Sequence, residues 1–286
     1  MGVGDLKTKI VFSEKCLAYG SWHTESPERV RKAHEILKEK GYGFVMPEPA
    51  TEEDVMKVHD HEYLWMLKKG LVEDDDTPAY ENIYELAKLS AGGAILAAKM
   101  KGFSIMRPPG HHAGVGGAAL GASTRGFCYL NNVAIAVRYL GKPTLILDID
   151  GHHGNGTQEI FNGDSMVTYV SLHRHPNYPG TGTISDGNCL NFPLPPDCGG
   201  TVYLRTLDKA LASVDSSKFE VVGVSAGFDT YSGDLASLGL SDETYSGIGK
   251  RVAALRKSTF FVLEGGYLGE HVGTAIDRLL NAYEKG

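Results

Sequence analysis

The chain alternates short, almost wholly apolar runs with longer stretches in which apolar residues recur at helical spacing. Runs at about 9–13, 44–47, 104–107, 144–149, 166–172, 189–194, 220–226 and 259–263 are apolar or β-branched over most of their length. Runs this short, bounded by Gly, Pro, Asn or Asp, read as strands buried on both faces. Between them, periodicity predicts helices from Pro27 to Gly41 and over about 52–69, 80–101, 130–140, 200–214, 242–257 and 269–284. Ser26-Pro27-Glu28 supplies a cap, a first-turn proline and an acidic residue where the first helix starts. Strands alternating with helices imply an α/β fold with a mostly parallel, eight-stranded sheet sandwiched by helices. A single domain over residues 1–286 is expected.

Four of the apolar runs end in residues that packing does not call for. "GFSIM" runs into Arg107-Pro108-Pro109-Gly110-His111-His112, and "TLILDI" into Asp150-Gly151-His152. "EVVGVSA" runs into Gly227-Phe228-Asp229, and "FFVLE" into Gly265-Gly266-Tyr267. Carboxylates at the end of a buried strand are costly unless paired or bound to a cation. In parallel α/β sheets, ligands sit beyond the carboxyl ends of the strands. Four unusual strand ends therefore point to one shared rim.

Asp150 and His152, two apart on an extended segment, point the same way. With Asp229 they offer two carboxylates and an imidazole, a set suited to a catalytic Zn2+ with open positions; Fe2+ also suits it. Taken alone, the pair also fits a capped turn with a surface histidine. His111 and His112 offer a base for a water and an acid for a leaving amine, each typically worth about 10²–10⁴ in rate. Asp148 and Asn155 are available to hold their far nitrogens. Tyr267 follows two glycines that let backbone come close to a ligand, and its phenol can donate to an oxyanion.

Bulk properties narrow the choice. A content of 42% hydrophobic and 22% charged residues suits a globular chain with a sizeable core. A formal charge of −7, with no basic run, argues against nucleic acid as a partner. No apolar run approaches the roughly 18 residues of a membrane span, so no membrane partner is expected. The first residues, "MGVGDLKTKIVFSEK", lack the apolar core of a secretory leader, and Cys16, Cys128, Cys189 and Cys198 are scattered. Both favour a reduced, cytoplasmic setting. The acidic run from Glu73 to Asp76 reads as a solvated loop.

The segments "RPPGHHAG", "GFCYLNNVAIA", "LDIDGHHGNGTQEIF", "VSLH", "YPGTG", "AGFD" and "LEGGYL" resemble, in order, those of the zinc-dependent histone deacetylase family. The likeness starts near "HTESPERV", reaches the C-terminus, and is to prokaryotic or class II-like members with the arginase/deacetylase fold. It implies Zn2+ on Asp150, His152 and Asp229, with His111 held by Asp148 and His112 by Asn155. It implies His112 as the main base and Tyr267 as the group that polarises the acyl carbonyl. Phe127 and Tyr178 would line the substrate tunnel with Gly110 and Gly266 nearby, and Arg29 would lie by an inner pocket that receives acetate. A structural K+ would be held by oxygens of Asp148, Asp150, His152, Ser171 and Leu172. The implied reaction removes acetyl or another short acyl group from an acylated amine: a protein lysine, a polyamine or a small metabolite. Hydroxamates are expected inhibitors; the sequence does not give the oligomeric state, although the partner subunit of a homo-oligomer could supply rim that this short chain lacks. Ala236 stands where polyamine-specific members carry a gatekeeping Glu, which weighs against polyamines. An arginase-like ureohydrolase is disfavoured because Tyr231 occupies the place of a second bridging Asp. A non-catalytic acyl-lysine binder is disfavoured because the ligands and Tyr267 are all kept.

Overall fold

The computed structural model describes residues 7–286; the start of the N-terminal stretch read above lies outside the described residues. Among the described residues, eight strands form one sheet: β1 (Ile10–Val11), β2 (Phe44–Val45), β3 (Phe103–Ser104), β4 (Thr144–Asp148), β5 (Val167–Arg174), β6 (Cys189–Leu194), β7 (Val221–Ala226) and β8 (Ser258–Leu263). Their order is β2-β1-β3-β8-β7-β4-β5-β6, and every pairing between them is parallel. The helices are α1 (Glu28–Glu39), α2 (Glu52–Met56), α3 (His61–Lys68), α4 (Ile83–Met100), α5 (Asn132–Leu140), α6 (Asn155–Phe161), α7 (Gly199–Ala212), α8 (Asp242–Ala254) and α9 (Gly269–Glu284).

The apolar runs are continuous because both faces of the central strands are covered. Alternate residues of β4 and β7 serve two cores. Leu145, Leu147, Val222 and Val224 pack with Val30 and Leu37 of α1, Ile248 of α8, and Ile276 and Leu279 of α9. Ile146 and Val221 pack with Leu64 of α3, Ala91 of α4 and Val133 of α5. This period of two follows from the pleat.

Two expectations fail locally. The stretch 52–69 is not one helix: Asp60 accepts the Tyr63 amide at 2.7 Å and starts α3 afresh, as Thr51 starts α2 by accepting the Asp54 amide. Helix α6 was not foreseen, because Gly154-Asn155-Gly156 reads as loop. It forms where the chain packs under the His111 carbonyl, to which the Thr157 amide donates at 3.1 Å, so tertiary contact overrides propensity. No helix among the described residues is long and apolar enough to cross a membrane.

Candidate active site

Strands β3, β8, β7 and β4 are consecutive neighbours, and they are the four whose C-terminal ends carry the unusual residues. Neighbouring strands lie about 4.8 Å apart, so ends remote in sequence meet on one short stretch of sheet edge.

The turn after β4 differs from the extended segment expected. Asp148 Oδ1 accepts the Asp150 amide at 3.2 Å, and Asp150 Oδ1 accepts the His152 amide at 2.8 Å. Two successive Asx-type turns therefore aim the side chains. Ligand atoms of Asp150, His152 and Asp229 lie within 4.8 Å of one another, all on buried residues. Room for them depends on two glycines. A Cβ on Gly227 would lie 2.1 Å from Asp150 Oδ2, and one on Gly265 would lie 2.6 Å from the same atom.

The donor set fits a divalent cation. Asp229 Oδ2 is buried without a hydrogen-bond partner, and His152 Nδ1, though 2.8 Å away, is not aligned to donate to it. Burial lowers the basicity of His152, yet Asp229 and Asp150 draw it up to about 9. Burial and the neighbouring Asp150 push Asp229 up to about 6. The charge of Asp150 contributes to both shifts.

The two adjacent histidines have opposite surroundings. Asn155 Nδ2 donates to the Ala119 carbonyl at 2.8 Å, so its Oδ1 must be the acceptor facing His112 Nδ1 at 2.7 Å. His112 therefore carries its proton on Nδ1 and presents a bare Nε2. Burial, then the charges of His111 and His152, hold its pKa well below the ordinary range. His111 Nδ1 lies 3.1 Å from Asp148 Oδ2, which also accepts from the Tyr169 hydroxyl at 3.0 Å. Burial pushes His111 down, but Asp150, Asp148 and Glu264 outweigh it and bring it up to about 10. A dication beside Asp150 would oppose that shift.

A cavity of about 280 Å³ is lined by Asp76, His112, Phe127, His152, Tyr178, Leu235 and Tyr267 among others. Phe127 meets Tyr267 edge-on at 5.8 Å, and Tyr178 meets His112 edge-on at 5.0 Å. Tyr178 is fixed by donating to the Thr124 carbonyl at 2.8 Å. Phe127 is held at φ +69°, an unusual conformation for a bulky residue.

The other candidate residues take the following places. Gly110 and Gly266 are buried and are not part of that wall. The Gly110 amide instead donates to Glu264 Oε2 at 2.7 Å. Arg29 spends its guanidinium on the loop after β8: Nε donates to the Gly266 carbonyl at 2.6 Å, and Nη2 to the Glu264 carbonyl. It also lies under the Tyr267 ring, 5.1 Å from its centroid, in the wall of a second cavity of about 410 Å³. Ser171 is the register partner of Asp148, with Leu172 next to it; the Ser171 hydroxyl bonds His173 Nδ1 at 2.9 Å. Ala236 is wholly buried, and the residue facing the mouth is Leu235, 49% exposed. Tyr231 stacks on His271 at 4.4 Å, so that position offers no carboxylate.

Sequence reasoning missed Glu264, whose Oε2 also accepts the His111 amide at 3.1 Å. Its signal was present: like Asp150, it is a carboxylate ending an apolar run. Burial pushes Glu264 up to about 7 even though His111 and the Gly110 amide favour its ionised form. Glu25, which binds both Arg29 and Arg107, had no local signal.

The chain matches the histone deacetylase domain over residues 23–283 and belongs to that family. It is 38% identical to a probable deacetylase of Archaeoglobus fulgidus over 91% of this chain and 81% of that one. It is 33% identical to the chloroplastic histone deacetylase 14 of Arabidopsis thaliana, over 79% of this chain and 62% of that protein. Among solved structures, the HDA15 HD domain superposes with a TM-score of 0.87 at 30% identity, covering 96% of this chain and 89% of that one. An acetylpolyamine aminohydrolase from Burkholderia pseudomallei superposes at 0.88 with 26% identity, covering 96% and 98%.

Proposed function

We propose that this protein is a metal-dependent amidohydrolase that releases acetyl, or another short acyl group, from an acylated amine. Asp150, His152 and Asp229 would hold Zn2+, or Fe2+, and oxygens of Asp148, Asp150, His152, Ser171 and Leu172 would hold K+. When bound, the divalent ion supplies a Lewis acid for the acyl carbonyl and lowers the pKa of water toward about 7. The single observation that carries this reading is the meeting of three buried ligand atoms, one of them on His152, which lines the same cavity as His112. Family membership supports the reaction class, and four unpaired cysteines support a reducing setting such as the cytoplasm.

The side chains have distinct tasks. Phe127 and Tyr178 hold the amine's alkyl chain, and the Tyr267 hydroxyl donates to the carbonyl oxygen. His112 takes a proton from the attacking water at Nε2. A C–O bond forms, the C–N bond breaks, and His112 returns the proton to the leaving nitrogen, giving a free amine and a carboxylic acid, which gives up its remaining proton to solvent as it becomes a carboxylate. His111 lies beside His112, its Nδ1 facing Asp148 and its Nε2 3.7 Å from Asp150 Oδ1.

The test is turnover of three probes by the zinc-loaded chain: an acetyl-lysine coumarin peptide, acetylputrescine and a small acylated amino acid. His112→Ala and Tyr267→Phe are each expected to lower turnover at least about a hundredfold, with zinc retained. Near-normal turnover in either variant removes that residue from the mechanism, and no turnover of any probe by the wild type refutes the reaction class.

A further inference from the structure

Tyr267 stands on a loop that begins Gly265-Gly266, with φ +115° at Gly266, so little in its own backbone fixes its phenol. The loop is held from two sides. Upstream, Arg29 donates to the Glu264 and Gly266 carbonyls. Downstream, Asp234 Oδ2 accepts the Tyr267 amide at 2.8 Å and the Leu268 amide at 3.1 Å. Asp234 Oδ1 accepts the Leu235 amide at 2.6 Å, which orients the carboxylate.

We infer that Asp234 is a positioning residue, which sets the Tyr267 hydroxyl over the acyl carbonyl. This rests on the hydrolytic reading above. Three observations support it. First, one carboxylate oxygen takes two successive amides, the Tyr267 amide being one of them, so the clamp acts at the Cα from which the phenol projects. Second, the clamp sits just ahead of α9, whose N-cap is Leu268, where the helix dipole favours an anion. Third, Asp234 lies on the loop that carries the ligand Asp229 and the wall residue Leu235. That loop is braced by its own bonds: the Asp234 amide donates to the Tyr231 carbonyl at 3.0 Å and the Ser237 amide to the Asp234 carbonyl at 3.1 Å. Asp234 thus ties the end of β7, which supplies a metal ligand, to the loop after β8, which supplies the oxyanion donor.

The test is a double-mutant cycle on the zinc-loaded full chain with an acetyl-lysine coumarin peptide as probe. Asp234→Asn preserves shape but weakens the acceptor, and Asp234→Ala removes it. Because the Tyr267 hydroxyl works mainly in the transition state, Asp234→Asn should lower kcat about tenfold while KM stays within about twofold. In the Tyr267→Phe background the same change should alter kcat by less than about twofold, since the two residues act through one group. Amide hydrogen exchange of the metal-free protein gives a readout independent of turnover. Tyr267 and Leu268 should lose about tenfold or more of their protection in Asp234→Ala, while the Gly265 amide, bonded to Asp150, is unchanged. An unaltered kcat in both variants, an undiminished loss in the Tyr267→Phe background, or unchanged exchange at Tyr267 and Leu268 would overturn the assignment. A wild type inactive on every probe would count against the hydrolytic reading, whereas the exchange result would still decide whether Asp234 holds the loop.

Discussion

Asn155 decides which nitrogen of His112 is free. Its amide can face the Ala119 carbonyl only nitrogen-first, and this leaves an oxygen for His112 Nδ1. A neutral acceptor stabilises the imidazolium less than a carboxylate does. Asn155→Asp should therefore raise the basicity of His112. The base works unprotonated, so the acid limb of the kcat/KM profile should move to higher pH; an unmoved limb would separate Asn155 from the base. Stability is measured alongside, because the variant leaves the Ala119 carbonyl without its donor. At this scale the sequence was informative about chemistry: carboxylates and imidazoles closing apolar runs stood out because packing gave them no role. It was silent about aim. The Asx turns that direct Asp150 and His152 are local but read in the sequence as extended backbone, and the glycines that give Asp150 room follow strands not adjacent to it in sequence.

Between elements, a buried charge cluster sets the frame. Glu25, just before α1, takes Arg107 through Nε and Nη2, both at 2.7 Å, and Arg29 at 3.0 Å, and accepts the Tyr19 hydroxyl at 2.9 Å. Arg107 follows β3, and Arg29 reaches the loop after β8, so one carboxylate joins the entry of α1 to two of the four site-bearing strand ends. Burial raises the pKa of Glu25, but Arg107 and Arg29 outweigh it and leave it lowered. A lowered folded value means stability that is complete above the ordinary glutamate pKa, about 4.5, and lost as pH falls through the folded value. Glu25→Gln should flatten that acid-side slope in thermal melts and cost about 3–5 kcal/mol at pH 7, because two buried guanidinium groups lose their counter-charge. An unchanged Tm and slope would mean the cluster is incidental. Element types were largely legible, since period-two burial and helical periodicity are local signals. The failures, at 52–69 and α6, lie where a cap or a tertiary contact overrode the pattern.

For the whole molecule, strand order is what makes the site. Alternation of strands and helices announced a parallel α/β sheet, but nothing in the periodicity says that β3, β8, β7 and β4 are consecutive neighbours. The four odd strand ends hinted at a shared rim, and the order explains it: the metal-ligating candidates, the paired histidines and the tyrosine come from adjacent strands. The most direct test is a Zn2+ titration of the metal-free full chain, reading bound zinc and hydrolysis of the acetyl-lysine probe together. Hydrolysis should rise in step with binding and break at one equivalent, and Asp229→Ala should show neither. A break at two equivalents, or zinc bound with no hydrolysis of any acylated amine, would contradict a single-ion amidohydrolase.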